Sequence, residues 1–240
     1  MHFMEMFPYL IFSFLLLLLF ALGLIITPGG FKRSVSLSAL LSAPISLASF
    51  AFVPGYWDPK RIVPYEIGPE DVIFSFSTGG IIWLLIILII SLKYDIRHNE
   101  RNYLKKYAGL LFFGSLLFYL MWLTRIDIML ATIITVSIIG IWILIHKPGY
   151  MILSITGALV FTLFYFCILR GFFVMFPEFP EQWSMEELYG ILVFGIPVEE
   201  LMWAFATGAV WPLIIAYLLN VKLDNKYYKS MVKLKLNPMR

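Results

Sequence analysis

Gly195–Trp211 reads GIPVEELMWAFATGAVW, and an earlier stretch, Ile67–Ile81, echoes it as IGPEDVIFSFSTGGI. At a constant offset of 129 residues, Glu70 pairs with Glu199, Asp71 with Glu200, Phe74 with Trp203, Phe76 with Phe205, Thr78 with Thr207 and Gly79 with Gly208. Each stretch reads as a proline-started helix with two adjacent carboxylates in its first turn and an aromatic-rich apolar run behind them. Two such segments in one chain of 240 residues predict an internal repeat whose shared feature is a pair of acids.

The surroundings of the two stretches set the class. Hydrophobic residues make up 61% of the chain and charged residues 14%, where a soluble domain carries about a quarter charged residues. The composition predicts an all-α polytopic protein of the cell membrane. Apolar runs of about 17 to 25 residues mark spanning helices. Seven are expected: Tyr9–Ile26, Val35–Val53, Asp71–Leu92, Tyr107–Leu123, Ile128–Ile145, Met151–Phe173 and Val198–Asn220. The first has no Lys or Arg before it and no small-residue cleavage pattern after it, so a retained helix is expected rather than a removed signal peptide. Thr27-Pro28-Gly29-Gly30 and Pro54-Gly55 break the chain after the first two spans.

Loop charges test the count. With seven spans, Lys60, Arg61, Arg125 and Arg170 fall on one side and the other fourteen of the 18 basic residues on the other. The positive-inside rule then predicts an N-terminus outside and a cytoplasmic C-terminus with a basic tail, solvated or touching anionic lipid. Twelve of the 15 acidic residues lie on the outer side, both acid pairs among them. Four spans separate the pairs, so the repeats point the same way across the membrane. Residues 1–106 form the first repeat unit, 107–127 the connecting span and 128–240 the second unit with its tail. The outer loops Phe176–Tyr189 and Pro54–Pro69, rich in proline and aromatics, read as interfacial lids or anchors.

Helical geometry places Glu70 under Phe74 and Glu199 under Trp203, while Asp71 lies below Ser75 and Thr78 and Glu200 below Ala204 and Thr207. The small residues Ser75–Gly79 and Ala204–Gly208 let neighbouring helices come close. The acids and rings are therefore expected to line one cavity that opens outward. Acids at a helix N-terminus also stabilise the macrodipole by about 0.3–1 kcal/mol each and need no function for it. The duplication with matched aromatics argues for more, because carboxylates at membrane depth are costly. Two adjacent carboxylates in an apolar pocket resist joint ionisation, so one keeps its proton. A neutral acid can protonate an apolar substrate, and aromatic rings can steady a nearby cation. Those are the needs of proton-initiated cyclisation of a polyene.

Pro197-Val198-Glu199-Glu200, repeated as Gly68-Pro69-Glu70-Asp71, resembles the P-x-E-[ED] motif of the non-flavin, integral-membrane lycopene cyclases. Those proteins are built of small multi-helix units, used as heterodimers or fused in one chain. The resemblance implies closure of lycopene end groups to β-ionone rings with no net redox change and no cofactor. It implies Glu199 or Glu200 as the acid and Glu70 or Asp71 as the base. Phe74, Phe76, Trp203 and Phe205 would stabilise the cation, with Thr78 and Thr207 completing the substrate-binding set. Gly68 departs from the motif, standing where a proline is expected.

Other classes fit less well. A retinal protein needs a lysine within the seventh span, and Val198–Asn220 has none. A glutamate-type membrane protease would place arginine where Ala204 stands. His2, His98 and His146 have no metal spacing, and no nucleotide-binding glycine motif or D-D-x-x-D cluster occurs. A net charge of +3 spread over loops does not suggest nucleic acid. Cys167 reads as a small buried apolar residue. The alternative from another class is a non-catalytic carotenoid- or lipid-binding protein, or a small transporter. Acids confined to the outer end of the spans tell against a proton path across the bilayer. The oligomeric state stays open.

Overall fold

Proline punctuates the helix starts, since its missing N–H costs nothing in a first turn. Pro8, Pro69 and Pro148 each open an apolar segment. The computed structural model describes residues 7–184 and 189–226. Within them are seven helices long and apolar enough to cross a membrane: α1 (Pro8–Ile26), α2 (Gly29–Phe52), α3 (Pro69–Ile90), α4 (Tyr103–Leu123), α5 (Ile128–His146), α6 (Pro148–Met175) and α7 (Val198–Leu218). Four short strands complete the described chain: β1 (Tyr94–Arg97), β2 (Leu192–Val193), β3 (Ile196–Pro197) and β4 (Lys222–Asn225). The seven expected spans are all present.

Two helices depart from the expected form for identifiable reasons. α2 tightens to a 3-10 helix over Ala43–Ala48, where Pro44 cannot donate the backbone hydrogen bond an α-helix needs. α4 starts at Tyr103, ahead of the expected Tyr107. Its Lys106 snorkels to the end of α7, donating to the Tyr217 carbonyl at 2.9 Å and to Asn220 Oδ1 at 2.6 Å. The charge therefore finds acceptors and the helix can begin earlier.

Packing is centred on α3 and α7. α3 lies against α1 and α2, and α7 against α5 and α6, while α3 also meets α6 and α7. Glycines set the closest approaches. A Cβ on Gly157 of α6 would stand 2.1 Å from the Gly208 carbonyl oxygen of α7, and one on Gly79 of α3 would meet Ser42 Oγ of α2 at 2.2 Å. Ser38 Oγ and the Trp211 indole both donate to the Gly79 carbonyl, at 2.7 and 3.0 Å. That cluster joins α2, α3 and α7 mid-bundle. The small residues expected to allow close contact do so.

α3 and α7 are tied at both ends. After α3 the chain enters β1, after α7 it enters β4, and the two strands pair antiparallel with Tyr94 opposite Asn225 and Arg97 opposite Lys222. Before the helices, Trp57 and Trp183 form a backbone bridge. The two helices therefore run in the same direction. The loop Phe176–Tyr189 packs onto this end through the 3-10 turn Phe179–Gln182; its residues 185–188, the basic tail from 227 onward and His2 lie outside the described residues. α4 buries no residue, and Leu18, Leu22, Leu159 and Leu163 are among many exposed apolar side chains, as lipid-facing helices require. Cys167 belongs to that outer surface of α6 and is exposed, not buried as expected.

Candidate functional site

At the end of the bundle where α3 and α7 begin lies a cavity of about 140 Å³. Asp71, Phe74 and Ser75 enter it from α3, Glu200 and Trp203 from α7, Tyr9 and Phe12 from α1, and Tyr165 and Leu169 from α6. Tyr56, Trp57, Phe179 and Trp183 come from the loops that precede α3 and α7. Phe74 and Trp203, matched in the sequence echo, stack with centroids 5.9 Å apart. Trp203 also sets its ring edge-on to Tyr165 at 5.4 Å.

Of each acid pair, the second member faces the cavity. Glu200 accepts three hydrogen bonds: from Tyr165 Oη at 2.9 Å, Trp183 Nε1 at 2.9 Å and Tyr56 Oη at 3.1 Å. All three donors are neutral. Burial and then the neighbouring Glu200 push the Tyr56 phenol, in the loop before α3, well above its usual range, so it remains a donor. Asp71 is held differently. It forms a buried ion pair with Arg61 and accepts from Ser49 Oγ at 2.8 Å, Tyr9 Oη at 3.1 Å and the Gly68 backbone N–H at 2.7 Å. Arg61 also lies over the Tyr9 ring, 5.8 Å from its centroid.

The departure of Gly68 from the motif has a local cause. Its N–H caps the carboxylate of Asp71 at the start of α3, and a proline there would have no N–H to give. A Cβ at Gly68 would also meet the Glu70 carboxylate at 2.5 Å. In the second segment Pro197 occupies the N-cap. Glu200 therefore has no such backbone donor and turns to the side chains around the cavity.

The remaining expected site residues lie outside the cavity lining. Glu70 and Glu199 are buried, at 0% and 3% exposure. Glu199 Oε1 accepts from the Tyr189 N–H at 2.5 Å, whereas neither carboxylate oxygen of Glu70 meets a donor among the described residues. Phe76 packs edge-on against Phe20 at 5.4 Å. Thr78 is buried, Thr207 half-buried, and Phe205 half exposed on the outer surface of α7. No group of three or more metal-ligating side chains occurs among the described residues. The cavity thus receives one acid and one ring from each echoed segment, and loop aromatics roof it beyond the starts of α3 and α7, with Trp57 and Trp183 rings 5.6 Å apart.

Sequence reasoning missed the partners: Tyr9, Ser49, Arg61 and Tyr165 have no counterpart in the echo. Arg61 carried a signal, being one of four basic residues on the side rich in acids.

Comparison with known proteins agrees with the second half of the chain. Residues 122–218 match the family model described as lycopene cyclase, and no curated protein or solved structure matches the chain. The match runs from the end of α4 to the end of α7 and includes Glu199 and Glu200; Asp71 and the first half lie outside it. Residues 122–218 are thus similar to a lycopene cyclase family, the family whose motif Pro197–Glu200 resembles.

Proposed function

We propose that the chain cyclises the end groups of an acyclic carotene, with Glu200 as proton donor and Asp71 as proton acceptor. The family supports a carotenoid cyclase role in general and an apolar carotenoid substrate. The observation that carries the mechanism is one cavity receiving Glu200, Asp71, Phe74 and Trp203 together. Glu200, surrounded by neutral donors, delivers a proton to the terminal carbon–carbon double bond. The tertiary cation left behind is attacked by the next double bond in reach, which closes the ring and moves the charge onto a ring carbon. Phe74 and Trp203 stabilise that charge through their faces. Asp71, entering as the carboxylate of an ion pair with Arg61, takes a proton from the adjacent carbon, and the C–H electrons become the ring olefin. One proton is given and one is taken, so the reaction is an isomerisation.

The excess of basic residues after spans one, three, five and seven supports a cytoplasmic C-terminus and an outer-facing cavity. The same direction of α3 and α7, together with the equivalent glycine contacts of Gly79 on α2 and Gly208 on α6, supports a parallel repeat of three helices with α4 as connector.

Carotenoid analysis of lycopene-producing cells tests the proposal. The native chain is expected to yield cyclic carotenes, Glu200→Gln and Asp71→Asn to leave lycopene unchanged while accumulating normally in membranes. Unchanged lycopene with well-inserted native chain would refute it and leave a carotenoid-binding role.

A further inference from the structure

One side chain of the cavity lining also reaches the surface, and it lies within the apolar span of α2. The outer end is closed: Tyr56, Phe179 and Trp183 are 4%, 1% and 6% exposed. Of the side chains lining the cavity, Ile45 alone is exposed, at 43%. It belongs to the 3-10 segment Ala43–Ala48. Residues three apart eclipse in such a helix, so Ile45 and Ala48 stand one above the other on the cavity wall. Met129 of α5 lines the cavity as well. Ile45 is seven residues from Phe52, the end of α2, or roughly 10 Å along the axis. Within a hydrocarbon layer about 30 Å thick, that depth is lipid, not water.

A carotene is far longer than a cavity of about 140 Å³ can enclose, when pockets for drug-sized ligands run to about 300–1,000 Å³. We infer that the site takes one end group at a time and that the remaining polyene leaves sideways past Ile45, between α2 and α5, into the bilayer. Polyene and lipid then meet at the same depth, and no long apolar chain crosses the aqueous face. The inference rests on the cyclase reading and adds to it a length-dependent role for Ile45, which takes no part in the proposed proton transfers.

The test compares two substrates in vesicles: lycopene, and a short acyclic terpene carrying the same terminal double bonds without the polyene. Ile45→Trp narrows the mouth; Leu47→Trp places equal bulk two residues on, at a position 61% exposed and off the cavity lining. Ile45→Trp is expected to slow lycopene turnover by about tenfold or more while sparing the short terpene, with Leu47→Trp sparing both. Ile45→Trp acting equally on both substrates, or on neither, in protein that retains its native unfolding temperature overturns the mouth and leaves the cyclase reading intact. Native chain inert toward both substrates overturns the cyclase reading itself, and this inference with it.

Discussion

Asp71 and Glu200 line the same cavity, yet among the described residues only Asp71 is met by a cation: Arg61 pairs with it, while Glu200 accepts from Tyr56, Tyr165 and Trp183. Matched positions in an echoed sequence thus have unlike surroundings. The difference divides the labour of the proposed reaction, because a cation keeps a buried carboxylate in the ionised form that can accept a proton, and a buried carboxyl group without one can hold a proton to give.

Replacing Arg61 should be costly in a way that its partner can undo. Arg61→Met leaves the buried carboxylate of Asp71 without its counter-charge, for an expected loss of about 3–5 kcal/mol. Arg61→Met/Asp71→Asn should recover most of that stability and still lack cyclase activity. Thermal unfolding in detergent, read beside carotenoid products, checks both halves.

Tyr165→Phe and Trp183→Phe each remove one donor from Glu200 and keep an aromatic ring in the wall. Glu200 becomes charged as it gives up its proton, and a hydrogen bond to a charged group contributes about 1.5–3 kcal/mol, so turnover should fall by roughly tenfold or more with little change in unfolding temperature. Initial rates on lycopene in vesicles measure it, and rates equal to the native chain's would remove these donors from the mechanism.

Gly68→Ala should conflict with Glu70, whose carboxylate stands 2.5 Å from the added carbon. The expected loss is about 1–3 kcal/mol, and Glu70→Ala should relieve it. A double-mutant cycle on unfolding free energy measures the coupling; additive effects would show that the two positions do not clash.

Gly157→Ala presses a methyl group onto the Gly208 backbone oxygen, which has no rotamer to escape into. Separation of α6 from α7 should cost about 1–3 kcal/mol. Gly171→Ala, on the same helix with nothing within 4 Å, should stay within about 0.5 kcal/mol of native. Comparing their unfolding temperatures decides it.

Much of the fold was legible because hydrocarbon leaves few choices. An apolar run of spanning length must satisfy its backbone internally, so Tyr9–Ile26 or Ile128–Ile145 could hardly be other than helices. The site was legible only in its helical part. Glu200, Asp71, Phe74 and Trp203 stand where one face of a helix puts them. Arg61, Tyr56 and Trp183 come from loops, whose return over the bundle leaves no period in the sequence. Which acid of each pair faces inward was hidden for a related reason: adjacent helical residues differ by 100° in direction, and neighbouring helices decide which direction is the cavity. Gly68 departs from the motif and proves to be one of the donors that hold Asp71.

The ribbon of β1 and β4, at the opposite end of the bundle from the acids, works as a spacer gauge. Its register joins the ends of α3 and α7, and each of those helices carries its acid at the other tip. A slip of one residue in that pairing corresponds to roughly 3.3 Å along a strand, longer than any of the hydrogen bonds that hold Glu200. In the proposed reaction, the levelling of donor against acceptor is therefore set partly from the far end of the bundle, by strands remote from the cavity.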